Sequence, residues 1–192
     1  MKAYWVLAIA MTAGLSAHAQ ECTVMAYAFA ERIMPAGMLW SAEAQAAAMF
    51  REIGAEVRWR TGAVRTNAVD GACGAPIVIL LGNTGSVRVP PDALAYATPF
   101  AQSGTCIHVL LDRVLQHRGG QFETALLAHV LAHEITHVLE RTDRHSADGV
   151  MKAHWDARDF CNLAWHSLPF AAEDVDLIHR GIAQRMLYAA AE

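Results

Sequence analysis

The sequence predicts an α+β fold: a five-stranded sheet with a backing helix, a long helix that carries the chemistry, and a small C-terminal helical part. The order of patterns supports this. A strand, a helix and several further strands precede a helix that is apolar nearly all round, and the chain after Met151 is short and helical.

The first residues are read as a leader rather than as part of the fold. Lys2, an apolar run from Ala3 to Leu15, and Ala17-His18-Ala19 form the three regions of a secretory signal peptide with cleavage after Ala19. The run is shorter than the ~20 apolar residues that span a bilayer. The expectation is a secreted or periplasmic protein without a membrane span, in which residues 20–192 form one domain.

Thr23 to Phe29, apolar with aromatic and β-branched residues, reads as the first strand. Ser41 is the expected cap of a helix whose Ala42, Ala46, Met49, Phe50 and Ile53 fall on one stripe and which stops at Gly54. Val57 to Arg60 alternates and ends before Gly62, giving a second strand. Pro76 to Leu81 is a continuous apolar run, suited to a strand buried on both faces. Leu94 to Pro99 and Cys106 to Leu111 complete the five. Beyond Met151, Trp155 to Leu163 and Glu173 to Leu187 read as two helices separated by Pro169, the second with an apolar stripe of Val175, Ile178, Ile182 and Met186.

Composition narrows the function. Removing Lys2 from 15 basic residues against 19 acidic ones takes the formal net charge from -4 to -5, and no basic patch offers phosphates a footprint, so nucleic acid is not an expected partner. Four cysteines, Cys22, Cys73, Cys106 and Cys161, all lie after the cleavage site. An even number in an exported chain favours two disulfides, one of them involving Cys73, with three pairings open.

The chemistry lies in His133-Glu134-Ile135-Thr136-His137, followed by His145-Ser146 and Gly149-Val150-Met151. Residues four apart share one face of a helix, so His133 and His137 can aim at one metal ion, while Glu134 beside them can take a proton from a water. If the helix continued, His145 would lie roughly 12 Å further along the axis. The helix must therefore end near Leu139 or Glu140 and Glu140 to Arg144 must turn back. Two helical histidines and one from a loop leave a fourth position open, which is the catalytic rather than the structural zinc arrangement. Asp143 is the alternative third ligand. Burying Glu134 and two histidines on so apolar a helix is costly without a partner such as a metal. His129, one turn before His133, reads as a buried partner rather than a ligand.

This run resembles the metzincin clan of zinc peptidases, and most its matrixin branch, whose motif is H-E-x-x-H-x-x-G-x-x-H-S followed by a methionine in a tight turn. His133, Glu134 and His137 match it directly, His145-Ser146 resembles the His-Ser pair, and Met151 falls where the turn would underlie the metal. Two departures stand out: seven residues rather than five separate His137 from His145, and Glu140 occupies the place of the turning glycine. The same spacing with a following Gly-Val-Met resembles a group of bacterial secreted proteins, which favours His145 over Asp143.

The resemblance implies a zincin-like fold with a mixed, mostly parallel sheet and with Leu94 to Pro99 as an antiparallel edge roofing the cleft. It implies one catalytic zinc ion held by His133, His137 and His145, Glu134 as general base, and hydrolysis of a peptide or protein substrate by a monomeric endopeptidase. The competing expectations are a secreted protein that binds zinc without turnover and a zinc hydrolase of non-peptide amides.

Overall fold

The computed structural model describes residues 22–64, 71–83, 89–98, 106–116, 120–163 and 165–189. The expected signal peptide, and the boundary after it, lie outside these residues. Among those described, no helix is long and apolar enough to cross a membrane.

Five strands form one sheet: β1 (Val24–Ala30), β2 (Val57–Arg60), β3 (Ile77–Gly82), β4 (Ala95–Thr98) and β5 (Cys106–Leu110), in the order β2-β1-β3-β5-β4. The first four in that order run parallel, and β4 pairs antiparallel with β5 at the edge, with Tyr96 opposite His108. The mixed, mostly parallel sheet is therefore present, with the expected edge strand. In β3, Ile77, Ile79 and Leu81 are fully buried while Val78 and Leu80 are partly so. This is what a central strand covered on both faces requires.

Helix α1 (Met38–Glu52) backs the sheet through Ala42, Ala46, Met49 and Phe50. It begins three residues before the expected cap: Gly37 is the N-cap, Ser41 lies inside the helix, and its N–H bonds to Gly37 O at 2.9 Å. The turn at Pro35, whose carbonyl accepts from Met38 N–H, starts the helix early. Its end is at the expected place, where Ala55 N–H reaches back to Phe50 O at 2.9 Å. Leu111, expected to end the last strand, instead opens a short helix, α2 (Leu111–Leu115), and is fully buried. No Gly or Pro separates strand from helix there, so the boundary carries no local signal.

Helix α3 (Gly120–Glu140) runs through the core, with Leu126, Leu127, Leu131, Ile135 and Leu139 all at 0 % exposure. It packs against α1 and α5 (Ala172–Ala189), and α4 (Ala157–Leu163) also touches it. The start of α4 is set by Asp156, whose Oδ1 accepts the N–H groups of Arg158 and Asp159 at 2.8 and 3.1 Å. Trp155 thus precedes the helix rather than opening it.

Cys22 and Cys73 form a disulfide that ties the chain entering β1 to the chain entering β3. The expected second bridge is absent among the described residues. Cys161 is exposed on α4, whereas Cys106 opens β5 with its sulfur 3.5 Å from His108 Nε2.

Gly181 marks where α5 meets α3, because a Cβ there would run into Leu139 O. Gly181→Ala is expected to destabilise the protein by about 1–3 kcal/mol, the range for forcing extra atoms into a close-packed contact. Thermal unfolding of the two proteins measures it, and an unchanged midpoint would show that the helices do not approach this closely.

Candidate metal centre

The long apolar face of α3 fixes two imidazoles before any ligand is considered. His137 and Glu134 are buried and His133 nearly so. Each histidine has one ring nitrogen already committed: His133 Nδ1 donates to Val150 O at 2.8 Å and His137 Nδ1 to Thr142 O at 2.9 Å. With those protons on Nδ1, both Nε2 atoms are lone-pair acceptors, yet they stand 3.0 Å apart. Two lone pairs facing each other at that distance have no hydrogen between them, and a cation in their common field removes the repulsion.

The chain after α3 returns as its length demands. Arg141 adopts a left-handed conformation with φ 55°, and Thr142 N–H reaches back to His137 O at 3.4 Å. This closes α3 with a Schellman turn one residue beyond Glu140, which stands where the motif this run resembles has glycine. A non-glycine residue there costs roughly 1–2 kcal/mol, and the extra two residues of the loop let the turn fall on Arg141 rather than Glu140. The loop then brings His145 beside the helical pair, its ring centroid 4.9 Å from that of His137 and 5.3 Å from that of His133.

Ligand atoms of His133, His137 and His145 lie within 4.8 Å of one another, and this is the group among the described residues that could hold a metal ion. Asp143 is not in it and is exposed at the rim. Three neutral imidazoles with a fourth direction open suit zinc in its catalytic coordination. Nearby charge agrees: burial, with the neighbouring histidines, drives His133 down to about 3, and burial also lowers His137 and His145, so all three rings favour the neutral form that ligates.

Below the rings runs the tight turn Gly149 to Lys152, closed by Lys152 N–H on Gly149 O at 3.3 Å. Gly149 has φ 78°, and a Cβ on it would strike Pro169 O, so this position requires glycine twice over. The turn presents Val150 O to His133 and buries Met151 completely. Sequence reading anticipated the methionine but not the carbonyls of Val150 and Thr142, since a backbone acceptor leaves no mark on residue identity.

Glu134 Oε2 is buried without a hydrogen-bond partner, and burial pushes its carboxyl up to about 8. An orphaned carboxylate beside converging imidazoles is the second sign that a positive charge belongs here. Above lies a cleft of about 790 Å³, bordered on one side by β4 and on the other by Lys152 to Trp155. The upper lip is held by Arg113, which donates to Pro90 O and Ala93 O at 2.6 and 2.5 Å. His154 and Asp92, 3.1 Å apart, meet across the two lips. Trp155 stands edge-on to both His133 and His129 at ring separations of 5.9 and 6.1 Å.

His129 holds no ligand position. Its Nδ1 donates to Ala125 O at 2.7 Å and its Nε2 accepts the N–H of Leu168 at 2.9 Å, tying α3 to the segment before α5.

The geometry has a structural counterpart. The chain is similar to the crystal structure of archaemetzincin from Methanopyrus kandleri, with a TM-score of 0.55 covering 88% of this chain and 99% of that one, at 17% sequence identity. That likeness shows a zincin-like, metzincin-related fold. No protein-family model and no curated protein matches the chain in sequence.

Burial is the main cause that lowers His129 to about 4, the bond to Ala125 O opposing it. The unfolded chain therefore binds more protons between pH ~6.5 and ~4. Stability from this residue is complete above the upper value and falls by on the order of 3 kcal/mol as pH drops through the window. Urea unfolding across that window should show a steeper loss for the wild type than for His129→Leu, which should be the less stable of the two at pH 7. Equal slopes would mean that His129 is not buried neutral.

Proposed function

We propose that this protein is a zinc-dependent peptidase, with His133, His137 and His145 holding one zinc ion and Glu134 as general base. The carrying observation is the pair of Nε2 atoms 3.0 Å apart whose Nδ1 partners are both taken by backbone carbonyls. A structural zinc site closes all four positions with protein ligands and has no use for a buried carboxylate alongside. The three-histidine group and the orphaned Glu134 favour turnover over storage of a metal.

When bound, zinc supplies Lewis acidity that acidifies a water and polarises a carbonyl. The protein's own groups do the rest. Val150 O and Thr142 O keep the protons of His133 and His137 on Nδ1, so both Nε2 atoms stay available. Glu134 accepts a proton from the attacking water at its carboxylate and delivers it to the leaving nitrogen. Its burial raises proton affinity, which suits a group that must take and return one. Met151 is fully buried, in keeping with the resemblance, which puts this methionine beneath the metal.

A peptide is the substrate class that fits the cleft best. Among the described residues, edge strand β4 is paired on one side only, with β5, so its outer backbone groups can add an extended chain as a further strand. This favours peptides over other amides. The His145-Ser146 and Gly-Val-Met segments support a matrixin-like placement within the fold. Export through residues 1–19 is consistent with the Cys22–Cys73 disulfide, since such bonds persist in oxidising compartments. We read the exported form as a monomer acting on peptide or protein substrates.

Glu134→Gln is expected to keep one zinc per chain while losing hydrolysis by 10²-fold or more, the ~10²–10⁴-fold range of a positioned acid-base group. Metal analysis beside cleavage of a broad peptide library measures both quantities and also reports the side chains preferred around the cut. Unchanged turnover in the variant would remove Glu134 from the chemistry.

The third ligand has its own test. His145→Ala should weaken zinc binding severely, whereas Asp143→Ala should cost no more than about 10- to 100-fold, the range for a residue outside the coordination sphere. Chelator-competition titrations separate the variants, and an emptied Asp143→Ala beside a metallated His145→Ala would reassign the ligand.

A further inference from the structure

His145 is the least supported of the three histidines. His133 and His137 sit on a buried helix and are each oriented by a carbonyl, whereas His145 is exposed on a loop, and among the described residues no group hydrogen-bonds its ring. The residues on either side of it are fixed instead. Arg144 Nη2 pairs with Asp174 Oδ1, Ser146 Oγ donates to that same oxygen at 2.5 Å, and Arg144 Nη1 donates to Ser146 Oγ at 3.2 Å. Asp174 is fully buried in the first turn of α5, where its other oxygen accepts Ala171 N–H at 3.2 Å. Glu140, at the end of α3, faces the same guanidinium at 3.9 Å with its side chain out of solvent. On the far side, Ser146 N–H donates to Met151 O at 2.8 Å and joins the loop to the methionine turn.

One buried carboxylate on the C-terminal helix therefore grips both neighbours of the loop histidine. We propose that Asp174, acting through Arg144 and Ser146, is a positioning residue that sets His145 against His133 and His137 and so raises the affinity and fixes the geometry of the metal centre. This rests on the zinc reading above. The clamp answers the longer connection between the second and third histidines. Two extra residues give His145 more conformations to lose on binding, and pinning residues 144 and 146 removes that freedom before the metal arrives. A lone pairing of Arg144 with a surface acid would do little, because exposed ion pairs contribute little. Here the acid is buried and accepts from both neighbours of His145, so loss of the carboxylate leaves both of those donors without their acceptor.

Asp174→Asn keeps the size and removes the charge; Ser146→Ala removes one arm and no buried charge. Zinc affinity is read by chelator competition, the ligand field by the visible absorption of the Co²⁺-loaded protein, and stability by unfolding of the metal-free form. Asp174→Asn is expected to weaken zinc binding about 10- to 100-fold and to change the Co²⁺ bands, with a smaller loss in the same direction for Ser146→Ala. In a His145→Ala background both substitutions should alter affinity by less than about twofold, because the residue they act through is gone. An equal loss with and without His145, or no loss in its presence, overturns the clamp and leaves a merely structural Asp174. Should Asp174→Asn fail to fold, Ser146→Ala decides alone by the same comparison. A wild type that takes up no zinc overturns the zinc reading and the clamp together, whereas a wild type that binds zinc with a flat cycle overturns the clamp only.

Discussion

Two imidazole nitrogens held 3.0 Å apart, each with its proton committed to a carbonyl on the far side of the ring, set the constraint to which the surrounding structure answers. Such a pair is unfavourable by itself: neither ring can donate to the other without giving up a backbone bond. A buried carboxylate one residue away, whose Oε2 has no hydrogen-bond partner among the described residues, adds a second unsatisfied group to the same cleft. Neutral lone pairs and a carboxylate together describe a space complementary to a divalent cation with one position left for a water.

The fold can be understood as the means of holding that constraint in place. Helix α3 is apolar nearly all round and buried between α1 and α5, and two backbone carbonyls orient the rings it carries. The Schellman turn at Arg141 serves two ends, closing the helix and pointing Thr142 O at His137. The turn at Gly149 does the same for His133 through Val150 O, and it can pack so closely against Pro169 only because Gly149 lacks a side chain. The antiparallel β4 and the segment from Lys152 to Trp155 border the cleft from opposite sides. The C-terminal helix would otherwise be mere ballast beneath the cleft, but its first turn reaches the loop that bears the third histidine.

Much of this was legible in the residues. The histidine spacing, the apolar faces of α3, the apolar run from Pro76 to Leu81 and the antiparallel edge strand all follow from periodicity and from the resemblance the motif carries. What escaped was local or depended on distant partners. Ser41 looks like a helix cap, yet a turn three residues earlier starts the helix first. Leu111 continues an apolar strand by type and nevertheless begins a helix, because nothing in the sequence breaks the backbone there. The even cysteine count suggested two bridges, but counting cannot place Cys106 on a strand beside His108 and Cys161 on an exposed helix. The missing glycine in the motif was visible, whereas the solution, a left-handed arginine one position later, needed coordinates. Asp174 offered only a weak signal, an acid in the first turn of a helix, which is ordinarily explained by capping alone.

Coordination of the metal itself is the most direct test of a three-histidine centre. X-ray absorption at the zinc edge of the fully loaded wild-type protein should show three imidazole nitrogens and one light oxygen donor at about 2.0–2.1 Å, with no sulfur. A shell of two imidazoles with a protein carboxylate, a fourth protein ligand closing the site, or any thiolate scattering would contradict it.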